Sequence, residues 1–249
     1  MKHSQRIIYQ GVGNLKNLSY FTGLCKDDTR LRTIRHFTEN GVNIPCPDGV
    51  IIGEKCVIGK NTVILPNTII VGSVTIGSGC VIGPNSYIEN SSIGSNVIFN
   101  CSQVRSSRID DDADIGPFVN IRPDSVIGKS VHLGNFTEVK NSVVGSGTKV
   151  SHLTYVGDSD VGENVNFGCG TVTVNFNGKS KSRTTIRDGA FIGCNTNLIA
   201  PVTVGKNSYT AAGSTITDDV PDNSLAVARE KQVNKTGWVK EKQPYRNKI

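Results

Sequence analysis

Arg122 and Lys140 stand eighteen residues apart, as do Cys194 and Ala212, and His152, one of four histidines, sits in the segment SHLTY. Two cations that can meet one ligand make an anion clamp, because guanidinium and ammonium groups both donate charge-assisted hydrogen bonds to phosphate or carboxylate. A positioned imidazole can take a proton near neutral pH. A small residue over another small residue leaves a floor on which an extended ligand can lie. Each feature also has a plainer reading: two splayed surface charges, an ordinary histidine, simple packing. The backbone that carries them decides between the two.

That backbone counts in sixes. Isoleucine recurs at Ile52, Ile58, Ile64, Ile70, Ile76, Ile82 and Ile88, a period that neither an α-helix (3.6) nor a pleated strand (2) has. A short strand plus a corner has it, with one inward aliphatic side chain per flat face and three faces per eighteen-residue coil. The ladder slips by one residue at Ile93 and resumes at Ile109, Ile115, Ile121, Ile127, Leu133 and Val139. A second slip leads to Val144, Val150 and Val156, then Val161 and Phe167, and the ladder closes with Ile186, Ile192, Leu198 and Val204. The sequence therefore predicts an all-β chain, a parallel β-helix over residues 49–215. Coils stacked at the strand spacing of about 4.8 Å would put Arg122 over Lys140 and Cys194 over Ala212. Two stacked cations repel unless an anion sits between or before them.

Composition agrees with a narrow prism. Only 6% of the 249 residues are aromatic, and 27 glycines are available for tight corners. Residues 1–48 break the period, and GLCKDDTRLRTIRHFTENG reads as an amphipathic helix capped by Asp27 or Asp28 and ended near Gly41, so an N-terminal helical arm is predicted. Residues 216–249 form a charged tail with the single tryptophan, Trp238. Residues 174–185, VNFNGKSKSRTT in their polar part, interrupt the coils as a projecting loop long enough to reach another subunit. The net charge of +6 suits anionic small molecules. Basic residues are not interleaved with aromatics, which argues against nucleic-acid binding. The absence of a long apolar run argues against membrane insertion, and the start MKHSQRIIYQ lacks a signal-peptide apolar region. Seven cysteines without metal or CxxC spacing read as free thiols of a cytoplasmic protein.

The stretch from IRPDSVIGKSVHLGNFTEVK through SHLTYVGDSD and VTVNFNGKSKSRTT to SLAVAREKQ resembles the C-terminal acetyltransferase domain of the bacterial bifunctional N-acetylglucosamine-1-phosphate uridyltransferase/glucosamine-1-phosphate acetyltransferase, over about Asp48 to Trp238. HLTYVGD and VNFNG are its most specific parts. The resemblance implies a left-handed coil, a homotrimer, and transfer of acetyl from acetyl-CoA to the amine of glucosamine 1-phosphate without a metal, in a pathway toward cell-envelope precursors. It implies His152 as general base and Glu138 as the carboxylate that orients it. It implies Arg122, Lys140, Tyr155, Asn166 and Lys181 for the sugar phosphate. For acetyl-CoA it implies Cys169, Asn175, Phe176, Cys194, Ala212 and Arg229, with cysteines where alanine and serine are commoner and Phe176 where tyrosine is. A thiol is a much weaker donor than the serine hydroxyl it would replace. No glycine-rich nucleotidyltransferase loop stands near the start, so the chain reads either as a stand-alone acetyltransferase, which its own arm favours, or as a piece of a longer protein.

Three other readings stay open at this level. One is acetylation of another amino sugar or nucleotide sugar. Another is a zinc carbonic anhydrase, which would need three converging histidines. The third is a non-catalytic scaffold, which would have no physical reason to hold Arg122, Lys140, His152, Tyr155 and Asn166 together.

Overall fold

The computed structural model describes residues 23–242; the first part of the predicted arm and the end of the tail lie outside the described residues. The chain forms a left-handed parallel β-helix with three flat faces. Face 1 stacks ten strands from Ile51–Ile52 to Thr215–Ile216, face 2 nine strands from Val57–Ile58 to Val202–Val204, and face 3 ten strands from Val63–Ile64 to Leu225–Ala226. Most strands have two or three residues, of which one points inward and is buried. Such short strands are stable only because each pairs with the coil above and the coil below, in register with like residues such as Ile52 with Ile70 and Ile121 with Val139.

The inward ladder is more continuous than the spacing predicted. Phe99 and Val104 fill the gap between Ile93 and Ile109, both fully buried, and several five-residue steps replace the two slips. A phenylalanine among aliphatics hides the rung from a search for Ile and Val. The ladder also runs past residue 215, since Leu225–Ala226 pairs with Tyr209–Thr210.

Most corners are turned by a residue with positive φ. The corner from face 1 to face 2 uses Asn90, Ser106, Asp124, Asn141 and Asp158, and the corner from face 3 to face 1 uses Cys101, Phe118, Phe136, Leu153 and Asn195. Before the first coil, helix α1 (Asp27–Glu39) lays Thr33 and Phe37 on the open end of the prism. Its N-cap is Lys26, without a side-chain cap bond, and Asp27 and Asp28 lie one step later in the first turn, where they face the positive end of the helix. Asn40 and Gly41 (φ 91) end it. A short helix α2, Trp238–Lys242, follows the last coil. No helix among the described residues is long and apolar enough to cross a membrane.

The ladder predicts a sharp contrast between its two sides. Ile115→Ala, at a fully buried rung, should cost about 2–5 kcal/mol in urea unfolding. Val57→Ala, at a position 62% exposed, should stay within about 0.5 kcal/mol. Equal effects would mean that the inward column does not hold the coils together.

Candidate active site

Arg122 and Lys140 occupy the same outward position on successive strands of face 1, and the Arg122 amide donates to the Val139 carbonyl at 2.8 Å. The column extends one coil further to Arg105, which pairs with Glu89 at 3.5 Å and lies 4.7 Å over the Tyr87 ring. Burial and the neighbouring Glu89 push the Tyr87 phenol up to about 12, so this far end is a closed, neutral-phenol cluster. Beside the column lies a cavity of about 550 Å³ lined by Arg122, Lys140, Asn141, Asp158, Lys181 and Arg183 among others.

The cations do not simply face each other. Arg122 Nη1 donates to Glu138 Oε1 at 2.8 Å, and Asn120 Nδ2 donates to the second oxygen of the same carboxylate at 3.3 Å. Lys140, in contrast, stands beside Lys181, and this neighbour holds the Lys181 ammonium below its usual range. One cation of the column is therefore neutralised and the next is not.

Lys181 comes from a hairpin. The chain leaves face 1 after Val174, turns at Asn177–Ser180, and returns to face 2 at Thr184, with an antiparallel bridge between Phe176 and Lys181. Arg183 anchors its base: Nε and Nη2 fork onto the Asp160 carboxylate at 2.9 and 2.6 Å, while Nη2 and Nη1 reach the carbonyls of Ser159 and Asn141 at 3.1 and 3.2 Å. Asn175 enters the hairpin nearly buried, 9% exposed, donating to one oxygen of Asp158 and to the Tyr155 phenol oxygen at 3.3 Å.

A second line of residues runs along the edge of face 3. Lys149 and Val150 pair with Asn166 and Phe167, which pair with Phe191 and Ile192, which pair with Tyr209 and Thr210. Continued to the corner, this register stacks His152, Cys169, Cys194 and Ala212, with backbone bonds from the Asn195 amide to the Cys169 carbonyl at 2.8 Å and from the Gly213 amide to the Cys194 carbonyl at 2.7 Å. The Arg229 side chain ends the line, beside Gly213. Four coil steps separate His152 from Arg229, roughly 19 Å at the usual strand spacing.

Two segments, residues 55–90 and 183–218, match the bacterial transferase hexapeptide model of six repeats. The chain is 53% identical over 204 residues to the bifunctional protein GlmU of Clostridium acetobutylicum, a match that covers 82% of this chain and 45% of that protein. It is 50% identical over 233 residues to GlmU of Caldicellulosiruptor saccharolyticus, covering 93% of this chain and 50% of that protein. The chain belongs to the hexapeptide-repeat transferase family. It spans about half the length of the curated relatives it matches. Among solved structures, the Arabidopsis UDP-N-acetylglucosamine acyltransferase shares the fold, with a TM-score of 0.51 at 18% identity over 72% of this chain and 70% of that one.

In this hexapeptide-repeat transferase the predicted residues fall into groups. Arg122, Lys140, Lys181, Tyr155 and Asn175 surround one cavity and its rim. His152, Cys169, Cys194, Ala212 and Arg229 form the column around the corner. Phe176 projects from the hairpin, 55% exposed. Three assignments differ from expectation, the first being Asn175, expected for acetyl-CoA but held by Tyr155 and Asp158 beside the cation cavity. Glu138 holds Arg122 and not the His152 imidazole, because it lies on face 1 while His152 ends a strand of face 3. Asn166 also lies on face 3, one face away from the cation column. Another histidine, His132, bonds Asp114 at 3.0 Å.

Asp158, Asn141 and Arg183 carry no signal in the residue spacing. Asp158 and Asn141 are corner residues with φ of 48 and 46, and looked like turn formers only. Arg183 looked like one charge in a basic loop. Gly157 carries none either: it ends the cation column, and a Cβ there would overlap the Tyr155 ring.

The pairing predicts opposite effects for two adjacent cations. Arg122→Ala should cost up to about 1 kcal/mol, the value of a half-exposed ion pair, by leaving Glu138 without its partner. Lys140→Ala should leave stability unchanged or raise it, since a like-charge neighbour of Lys181 is gone. Urea unfolding of both variants at low salt checks this; losses of equal size would show that Glu138 does not distinguish the two cations.

Proposed function

We propose that this chain transfers the acetyl group of acetyl-CoA to the amine of glucosamine 1-phosphate. The observation that carries the reading is a pair of unlike grooves at the two edges of face 1, a cavity at the corner with face 2 and a column at the corner with face 3. Lys140 on face 1 and Lys181 on the hairpin, with Arg122 beside them, border a cavity large enough for a sugar phosphate. Around the corner His152 heads a column of small residues that ends in Arg229. A cationic pocket suits the phosphate dianion, and a narrow column with a terminal guanidinium suits a pantetheine arm with a phosphorylated nucleotide at its far end.

The chemistry needs no covalent enzyme intermediate. The amine attacks the thioester carbonyl, His152 takes the proton that the amine loses, the C–S bond breaks, and the proton ends on the departing thiolate. Binding both partners along fixed coils supplies proximity, the larger part of what such a direct transfer requires. Tyr155 and Asn175 offer hydroxyl and amide groups on the sugar side, and backbone amides along the His152 column are placed for the pantetheine.

The same reading makes the protein a homotrimer whose sites lie at subunit borders. Asn166 and the cation column occupy different faces of one prism, so one chain cannot close both around a single sugar. The corner beside His152 supports this independently. Phe118 and Phe136, stacked at 5.4 Å, and Leu153 all adopt positive φ while staying 56%, 59% and 60% exposed. A bulky side chain in that region costs on the order of 1 kcal/mol or more, and solvent exposure returns nothing for it. A neighbouring copy that covers the ridge does.

His152→Ala should lower turnover about a hundred- to ten-thousandfold with acetyl-CoA affinity nearly unchanged, read as thiol release with glucosamine 1-phosphate against unphosphorylated glucosamine and other amino sugars. Full turnover in the variant would remove His152 from the reaction. A fully active monomer in analytical ultracentrifugation would remove the shared site.

A further inference from the structure

Asp158 stands at the corner between faces 1 and 2, 5% exposed, where three parts of the site meet. One carboxylate oxygen accepts from Asn141 Nδ2 and the other from Asn175 Nδ2, and the same Asn175 amide reaches the Tyr155 phenol oxygen. Its backbone joins the same parts: the Asp158 amide donates to the Lys140 carbonyl at 2.9 Å, and its carbonyl accepts from the Thr184 amide at 3.2 Å. The entry of the hairpin, its exit and the strand carrying Lys140 are thus tied to one residue. We propose that Asp158 is the positioning residue of the acceptor site, holding the hairpin so that Lys181 faces Lys140 and Asn175 faces Tyr155. This rests on the acetyltransferase reading for its function, though not for its geometry.

The charges around it leave this role to Asp158. Facing the cavity are Arg122 and Lys140 from face 1, Asp124 from the corner, Lys181 and Arg183 from the hairpin, with Asp160 behind them on face 2 and the Tyr155 phenol at the rim. Glu138 is held by Arg122 and Asp160 by Arg183. Asp158 is the carboxylate that acts against the depression of Lys181 by Lys140. Burial pushes the Asp158 acid upward, yet the two asparagine bonds and the charges of Lys140 and Lys181 outweigh it and hold the carboxylate below its ordinary range. The site therefore keeps a buried negative charge directly behind its phosphate-facing cations, which fixes their position and protonation before any ligand arrives.

Asp158→Asn tests this with little backbone disturbance, because asparagine already takes positive φ one coil earlier at Asn141. An amide in place of the carboxylate sets one NH2 against another and removes the charge. In the ligand-free protein, NMR titration of lysine ammonium groups should show Lys181 depressed further, and trypsin should cut the hairpin after Lys179 and Lys181 severalfold faster. With substrates, kcat/KM for glucosamine 1-phosphate should fall about ten- to a hundredfold, mostly through KM, with its alkaline limb moved to lower pH. Acetyl-CoA binding should not change. The swap Asp158→Asn with Asn141→Asp returns a carboxylate to the cluster and should recover most of the Lys181 titration. If Asp158→Asn does not fold, Asn175→Ala replaces it: hairpin cleavage should rise and Lys181 should titrate closer to the ordinary lysine range, because the loosened hairpin no longer holds it against Lys140. A folded Asp158→Asn protein with unchanged Lys181 titration and unchanged cleavage overturns the proposal. A parent protein inert toward glucosamine 1-phosphate overturns the functional reading instead, and the two ligand-free measurements still decide the role of Asp158.

Discussion

Everything in this molecule depends on the backbone ladder between coils. Each strand is too short to stand alone, so every coil must repeat the geometry of the one before, and residues seventeen or eighteen apart come within one strand spacing of each other. The constraint is indifferent to side-chain chemistry. Stacked isoleucines gain from it, since apolar surfaces meet face to face along the axis. Stacked charges lose from it, and the sequence has to compensate them one by one. Arg105 has Glu89 and Arg122 has Glu138, whereas Lys140 has another lysine. The compensation stops where the cavity opens.

The corners carry the second cost. Most corners need a residue outside the usual backbone regions, and asparagine, aspartate, serine and glycine fill most of these positions. Corner residues also face outward between two sheets, which makes them natural places for function. Asp124, Asn141 and Asp158 form such a column along the cavity. Phe118, Phe136 and Leu153 form another next to His152, in a conformation that suits none of them in isolation.

The fold was legible because its period is imposed on every rung and seven isoleucines announce it without interruption. Phe99 was not, since one ring accommodated among aliphatics breaks the pattern of residue types without breaking the geometry. The Arg122–Lys140 stack could be read from spacing alone, as both belong to one column. The bond from Arg122 to Glu138 could not: it runs diagonally across a strand, and its sixteen-residue separation has no special meaning until the outward directions are known. The same holds for Arg183 and Asp160, twenty-three residues apart across an inserted hairpin. Register gives columns, and columns give neighbours along the axis. Lateral contacts and contacts from insertions depend on side-chain reach, which no period encodes.

This difference explains how the site can be both rigid and unsatisfied. Rigidity comes from contacts that leave the column: the fork of Arg183 on Asp160, and the grip of Asp158 on Asn141 and Asn175. Dissatisfaction comes from the column itself, where Lys140 is held one position beyond a neutralised arginine and faces Lys181. An unpaired lysine on a mobile segment would swing away into solvent and bind a phosphate only after losing that freedom. Here the ordering of the hairpin is offset by bonds made on folding, so under the proposed reading a phosphate entering the cavity meets two lysines already held in its wall. The repulsion between them is eased from behind by the Asp158 carboxylate, and what is left is there for an anion in front of them.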